Sequence, residues 1–146
     1  MPVTEVEFHT QTPDRLQYAC RLLRKAATSA ARVLVTADAE TLKQLDQQLW
    51  SFSSTDFVPH CLQDAPAQML DHSPIVLTPN LPAQAAQTIL LNLGSTVPAG
   101  FEQFARIIEI VSEDALDKRQ ARSRWKQYAA LGYKLTSHNL QAKAEA

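Results

Sequence analysis

The chain of 146 residues carries 14 Lys and Arg against 15 Asp and Glu, so its formal net charge of −1 gives no overall bias toward nucleic acid or membrane surfaces. With 45% hydrophobic residues it can bury one core of ordinary size, which predicts a single domain over residues 1–146. No charged segment followed by an apolar run opens the sequence, and no run of about 18 apolar residues occurs, so we expect a cytoplasmic protein without membrane contact.

The first half of the chain predicts alternating strands and helices. Residues 3–8 alternate apolar and polar side chains, as a half-buried strand does, and the Thr-Pro-Asp sequence at residues 12–14 then marks a helix start. The run ARVLVTAD over residues 31–38 predicts a buried strand that ends in Asp38, which can cap the next helix. That helix leads to Trp50 and has apolar residues at helical spacing, namely Leu42, Leu45 and Leu49.

Three more apolar runs of strand length follow, each bounded by Pro, Gly or Ser: SPIVLTP (73–79), TILLNLG (88–94) and RIIEIVS (106–112). A final helix is predicted from Ser112, as its cap, to Leu131, with Gly132 as its stop, and we expect a flexible tail from about residue 136 to residue 146. Continuous apolar runs that alternate with helices indicate the α/β fold class. The prediction is a three-layer sandwich with a mainly parallel central sheet and a nucleotide-binding-like topology without a phosphate loop.

The sequence predicts no catalytic site. It has three glycines outside any GxxxxGK[ST] or GxGxxG motif, and these are Gly94, Gly100 and Gly132. The His residues are scattered, and the adjacent His60 and Cys61 would point to opposite faces of a strand, which argues against a metal site. Cys20 and Cys61 lack CxxC spacing and predict buried free thiols. We therefore expect no catalytic residue, no metal and no cofactor.

The last predicted helix concentrates positive charge. Residues 118–134 hold six basic side chains and no acidic one, which leaves eight basic residues against 15 acidic residues elsewhere. The six are Lys118, Arg119, Arg122, Arg124, Lys126 and Lys134. The predicted charge distribution is polarised, with its positive pole on this helix.

Within this helix, Lys118, Arg122 and Lys126 recur every four residues and form one stripe, with Trp125 beside it. The residues expected to face the core are Ala121 and Tyr128. A stripe without a Glu partner suggests a partner on another molecule, and an acidic peptide or a nucleic acid would each suit it. The alternative is a solvated helix face with the usual preference of cations for a helix carboxyl end.

A second feature is the stretch LWSFSSTDFVPH over residues 49–60, which places three large aromatic residues in a short Ser-rich connection. A loop has little structural need of three such side chains. We interpret Phe52 as part of a lid over the sheet end. Trp50 and Phe57 are better candidates for protein contact, because Trp-centred anchors dominate interface energetics.

These two motifs resemble the chi subunit of bacterial DNA polymerase III. The resemblance runs nearly the full length and rests on LW…FVPH and on the later basic and aromatic pattern, which comprises Lys118, Arg122, Trp125, Lys126, Tyr128, Gly132 and Tyr133. It implies a non-catalytic part of the clamp-loader assembly that binds the small psi subunit and the acidic carboxyl-terminal tail of single-stranded DNA-binding protein, with only indirect DNA contact. The positions implied for psi are Trp50, Phe57, Val58 and Pro59. The positions implied for the tail are Lys118, Arg122, Trp125 and Lys126.

Several functional alternatives stay open from the sequence. A helicase-like protein could compete for the psi side at Trp50. The same basic helix could bind single-stranded nucleic acid directly. An enzyme on a nucleotide-like fold is the third reading, and the missing phosphate loop argues against it.

Overall fold

The computed structural model describes residues 4–29, 31–51, 60–62, 74–82 and 87–140. Within these residues, seven strands form one sheet in the order β3-β4-β2-β5-β6-β1-β7, and every neighbouring pair is parallel. The strands are β1 (Glu5–Thr12), β2 (Val33–Thr36), β3 (His60–Leu62), β4 (Ile75–Thr78), β5 (Ile89–Asn92), β6 (Arg106–Ser112) and β7 (Lys134–Asn139). The α-helices among the described residues are α1 (Arg15–Thr28), α2 (Ala39–Ser51) and α3 (Ala115–Ala130).

Helices cover both faces of the sheet. All four residues of β2 are buried, and successive side chains face opposite layers. Val33 and Val35 pack in the cluster that holds the buried residues of α1 and α2, whereas Leu34 packs in the cluster that holds those of α3. The predicted three-layer sandwich with a parallel sheet is therefore confirmed.

Two helix starts are confirmed and one is wrong. The Asp14 side chain accepts a hydrogen bond from the Gln17 backbone N–H at 3.1 Å, and Asp38 accepts one from Thr41 at 3.2 Å. Ser112 does not cap α3. Strand β6 continues through Ser112, and the cap is Asp114, whose side chain accepts from the Asp117 backbone N–H at 3.2 Å.

Helix α3 ends at the predicted Gly132 stop, but the residues after it do not begin the predicted tail. Gly132 has a φ of 87°, its N–H donates to the Ala129 carbonyl at 3.0 Å, and Tyr133 donates to the Tyr128 carbonyl at 3.2 Å. This Schellman arrangement turns the chain back along the sheet. Residues 136–139, expected in a tail, belong to β7, which pairs with β1. The segment KLTSHN lacks an apolar run because β7 is a largely exposed edge strand, so its sequence carried little strand signal.

Candidate functional site

Helix α3 packs on the sheet through an unusual set of side chains. Ala121 and Tyr128 are buried as predicted, and between them lies Arg124, which is only 1% exposed. Spacings of three and four residues place all three on one helix face. Arg124 therefore does not belong to the exposed positive pole, and the exposed or half-exposed cations of α3 are Lys118, Arg119, Arg122 and Lys126.

Arg124 is buried because Glu109 meets it from β6. The Arg124 Nε lies 3.0 Å from Glu109 Oε1, while Glu109 Oε2 accepts from the Tyr128 hydroxyl at 2.8 Å and from Asn92 Nδ2 at 2.9 Å. Arg124 also donates through Nη1 to the Ser95 carbonyl at 3.1 Å. Burial raises the pKa of Glu109, and the Arg124 guanidinium with the two other donors opposes that shift. We call these four side chains, Glu109, Arg124, Tyr128 and Asn92, the buried network.

The same burial acts on Tyr128. Desolvation, followed by the neighbouring Glu109 carboxylate, raises the pKa of Tyr128 far above its ordinary value. The phenol therefore stays protonated and keeps donating to Glu109. The buried network thus sets the rotation of α3 against the sheet, and that rotation decides which side chains face outward.

A cavity of about 250 Å³ opens beside α3, between the helix and the carboxyl ends of β6, β1 and β7. We call it the α3 cavity. Its apolar lining comes from Phe8, Val111, Ala121 and Trp125, its cations are Lys118 and Arg122, and its polar lining comes from Thr10, Gln11, Ser112 and Ser137. An apolar pocket flanked by two cations can hold a bulky apolar group that carries or adjoins negative charge.

Trp125 forms one wall of the α3 cavity and is fixed by the core. Its ring meets that of Phe8 edge to face, with centroids 5.1 Å apart and an interplanar angle of 62°. The side chain is half-buried, so it belongs to both the core and the cavity. Of the four residues that the sequence indicated for this surface, Lys118, Arg122 and Trp125 meet at the α3 cavity, whereas Lys126 is exposed on the helix and does not line it.

Sequence reasoning missed the polar side of the α3 cavity. Gln11 has a φ of 61°, the left-handed region that non-glycine residues rarely adopt, and it lies where the β1–β6 register shifts between His9 and Thr12. Strained backbone at a cavity is a common feature of binding sites. No local pattern marks Gln11 or Ser137, because these residues meet only through the pairing of β1 with β7.

Of the four residues of the second predicted surface, the structure describes Trp50 alone, and Trp50 lies in the opposite layer. Trp50, next to the last residue of α2, is 60% exposed, and α2 packs on the face of the sheet away from α3. Phe57, Val58 and Pro59 lie outside the described residues, as does Phe52. Cys20 is a free, buried thiol as predicted, whereas the Cys61 side chain is not among those described.

Neither α1, α2 nor α3 is long and apolar enough to cross a membrane.

Comparison with known proteins gives a consistent result over most of the chain. A family model described as DNA polymerase III chi subunit, HolC, matches residues 3–136. The Pseudomonas aeruginosa protein named DNA polymerase III subunit chi is 33% identical over 143 residues, which cover 94% of this chain and 98% of that protein. The Haemophilus influenzae protein of the same name is 30% identical over 129 residues, covering 85% and 86%, and that of Escherichia coli is 27% identical over 124 residues, covering 83% and 82%. This chain therefore belongs to the DNA polymerase III chi subunit family, and its role is that of a replication accessory subunit rather than an enzyme.

Proposed function

We propose that this chi-family chain links the polymerase III clamp loader, through psi, to the acidic carboxyl-terminal tail of single-stranded DNA-binding protein. In this proposal the tail binds at the α3 cavity and psi binds at a surface that includes Trp50. The proposed tail site rests on one observation: Lys118, Arg122 and Trp125 line the same apolar cavity.

The chemistry of the α3 cavity suits such a tail. A peptide that ends in acidic residues, a bulky apolar side chain and a free carboxylate needs cations for its charges and an apolar recess for its end. Arg122 is exposed, and its planar guanidinium can hold both oxygens of a carboxylate. Phe8 and Trp125 supply the apolar walls of the recess.

The size of the α3 cavity favours the peptide over direct binding of nucleic acid at α3. Its volume of about 250 Å³ is below the range of about 300–1,000 Å³ that is typical of small-molecule pockets. It therefore suits one bulky side chain rather than a strand of stacked bases. A nucleic acid would also need a longer track of aromatic platforms than Trp125 alone provides.

For the psi half, the support is the family membership and the exposure of Trp50. A Trp that is 60% exposed contributes little to the core, and Trp residues are frequent anchors of protein interfaces. Because α2 and α3 lie in different layers, a partner at Trp50 leaves the α3 cavity open to a second partner.

Titration of the tail peptide against Arg122→Glu and Arg119→Glu tests the proposal. Both variants make the same charge change on exposed residues of α3, but only Arg122 lines the α3 cavity. Loss of one charge-assisted contact should lower the tail affinity of Arg122→Glu by more than about tenfold, whereas Arg119→Glu should bind nearly as the parent does. Equal losses in the two variants would show that general charge, and not the α3 cavity, binds the tail.

A further inference from the structure

Gln11 lies on the side of the sheet that a regular strand would not give it. Successive side chains of a strand face opposite layers. Phe8 packs in the cluster that holds the buried residues of α3, whereas His9 contacts Tyr18 of α1 in the opposite layer. A regular strand would therefore place Gln11 with His9, on the α1 side. Gln11 instead lines the α3 cavity together with Thr10.

An irregularity in β1 accounts for this placement. The backbone of Gln11 is left-handed, with a φ of 61°, and the register between β1 and β6 shifts between His9 and Thr12. Such a bulge changes the direction of a side chain and is frequent beside functional sites. A glycine would adopt this backbone without strain, whereas any other residue is strained there. A glutamine at this position indicates that its side chain has a use at the cavity.

The polar side chains that the strands bring to the α3 cavity differ in what they already bind. The Thr10 hydroxyl donates to the His138 carbonyl at 3.4 Å, and the Ser112 hydroxyl accepts from the backbone N–H two residues along at 3.2 Å. Within the described ranges, the side chains of Gln11 and Ser137 make no hydrogen bond. The Gln11 amide is therefore available both to donate and to accept.

The α3 cavity has a charged side and a neutral side. The helix side brings two cations, Lys118 and Arg122. The strand side brings only neutral polar groups, which belong to Thr10, Gln11, Ser112 and Ser137. No carboxylate of the described residues lines the cavity. A ligand that matches both sides carries a negative group next to a neutral polar group.

The end of a peptide has these two groups. The terminal residue carries its free carboxylate on one side of its Cα and the last peptide group on the other. A cavity of about 250 Å³ holds one bulky side chain, so both groups flank that side chain at the mouth of the cavity. The carboxylate suits the guanidinium of Arg122, whereas a neutral peptide group suits an amide that donates and accepts.

We propose that Gln11 is a specificity-determining residue of the α3 cavity, and that its side-chain amide accepts a hydrogen bond from the last peptide N–H of a bound tail. This inference rests on the proposed binding of the tail at the α3 cavity. It adds a neutral contact with the peptide backbone to the charged contacts of Lys118 and Arg122. Salt screens interactions between charges, so the contact of Gln11 should persist at high ionic strength.

Titration of the full chain with two synthetic peptides tests the proposal. One is an acidic peptide that ends in Phe with a free carboxylate, and the other has an ester in place of its last amide, which removes the N–H. Gln11→Gly removes the side chain and retains a residue that adopts a positive φ. Its affinity for the amide peptide should fall about two- to tenfold, the loss typical of one hydrogen bond. The parent should bind the ester peptide more weakly by a similar factor.

The two changes should not be additive. Gln11→Gly should bind the amide and ester peptides equally well, because the variant and the ester each remove the same hydrogen bond. The matched control is Gln120→Ala, which removes an amide from α3 outside the α3 cavity and should bind both peptides as the parent does. Gln11→Gly should also keep the salt dependence of the parent, whereas Arg122→Glu should reduce it. Thermal unfolding first verifies that each variant is folded.

Three outcomes would overturn the proposal. If Gln11→Gly bound the amide peptide as tightly as the parent while Arg122→Glu did not, the tail site would stand and the role of Gln11 would fail. If Gln11→Gly still distinguished the ester from the amide by the parental factor, Gln11 would not contact the last peptide group. If the parent bound neither peptide, the proposed function and the role of Gln11 would fail together.

Discussion

The Arg124 guanidinium and the Glu109 carboxylate form an ion pair between α3 and β6, with Nε 3.0 Å from Oε1 and side chains that are 1% and 0% exposed. Arg124 belongs to a helix whose other cations are exposed or half-exposed. By turning Arg124 inward, the pair turns Lys118 and Arg122 toward the α3 cavity. The buried network therefore positions the candidate binding surface, although none of its four side chains lines the α3 cavity.

Replacing Arg124 should strongly destabilise the fold. Arg124→Met leaves the Glu109 carboxylate buried without its cation, which typically costs about 3–5 kcal/mol of unfolding free energy. Urea unfolding measures the loss, and the control is Arg119→Met, the same change at an exposed position of α3, which should stay within about 0.5 kcal/mol of the parent. Adding Glu109→Gln to Arg124→Met should recover part of the loss because it removes the unpaired charge. If Arg124→Met were as stable as Arg119→Met, the ion pair between Arg124 and Glu109 would not stabilise the packing of α3.

Gln11 should show an inverted preference between Gly and Ala. In an ordinary strand, Gly is less stable than Ala by roughly 0.5–1 kcal/mol, but at the φ of 61° found here the Cβ of Ala is strained by about 1–2 kcal/mol. Gln11→Gly should therefore be the more stable of the two in urea unfolding. The same pair of substitutions at Thr136 in β7 provides the control, where Ala should be favoured. If the Ala variant were more stable than the Gly variant at both positions, the backbone at residue 11 would not be left-handed.

The two proposed partner surfaces should be separable. Trp50→Ala removes an exposed aromatic residue, so psi binding should weaken by the 2 kcal/mol or more that is typical of interface anchors, while tail binding persists. Arg122→Glu should give the reverse pattern. Pull-down with psi and titration with tail peptide measure both, after thermal unfolding has shown that each variant is folded. Loss of both partners in either folded variant would require one shared surface.

Cys20 should resist alkylation while the protein is folded. Burial, with a smaller contribution from Asp14, raises the pKa of this thiol to about 11, and only the thiolate reacts. In a Cys61→Ser variant, iodoacetamide at neutral pH should label the native protein very slowly and the urea-unfolded protein at the rate of a free thiol. Rapid labelling of the native variant would show that the packing of α1 around Cys20 opens readily.

Five of the seven described strands and two of the three helix starts could be predicted because their causes are local. A parallel strand covered on both faces needs a continuous apolar run, and the predicted run RIIEIVS coincides with β6. The Thr-Pro-Asp sequence at residues 12–14 predicted one helix start, and Asp38 was predicted as the cap of the next; the side chains of Asp14 and Asp38 each accept a backbone N–H three residues along. The predicted stop at Gly132 also has a local cause, since glycine readily adopts the positive φ of 87° found there.

The α3 cavity and the burial of Arg124 depended on tertiary structure. Glu109 interrupts an apolar strand, and no local pattern says which of the several cations in the basic run meets it. The packing of α3 on β6 determines that Arg124 is the cation that pairs with Glu109. The strand order β6-β1-β7 brings Thr10, Gln11 and Ser137 to the same cavity. Helix capping and apolar periodicity depend on residues a few positions apart, so a short stretch of sequence contains them. The partner of a buried charge and the lining of a cavity come from residues that can lie far apart in the chain. Thr10 and His138, which are hydrogen-bonded, are 128 positions apart.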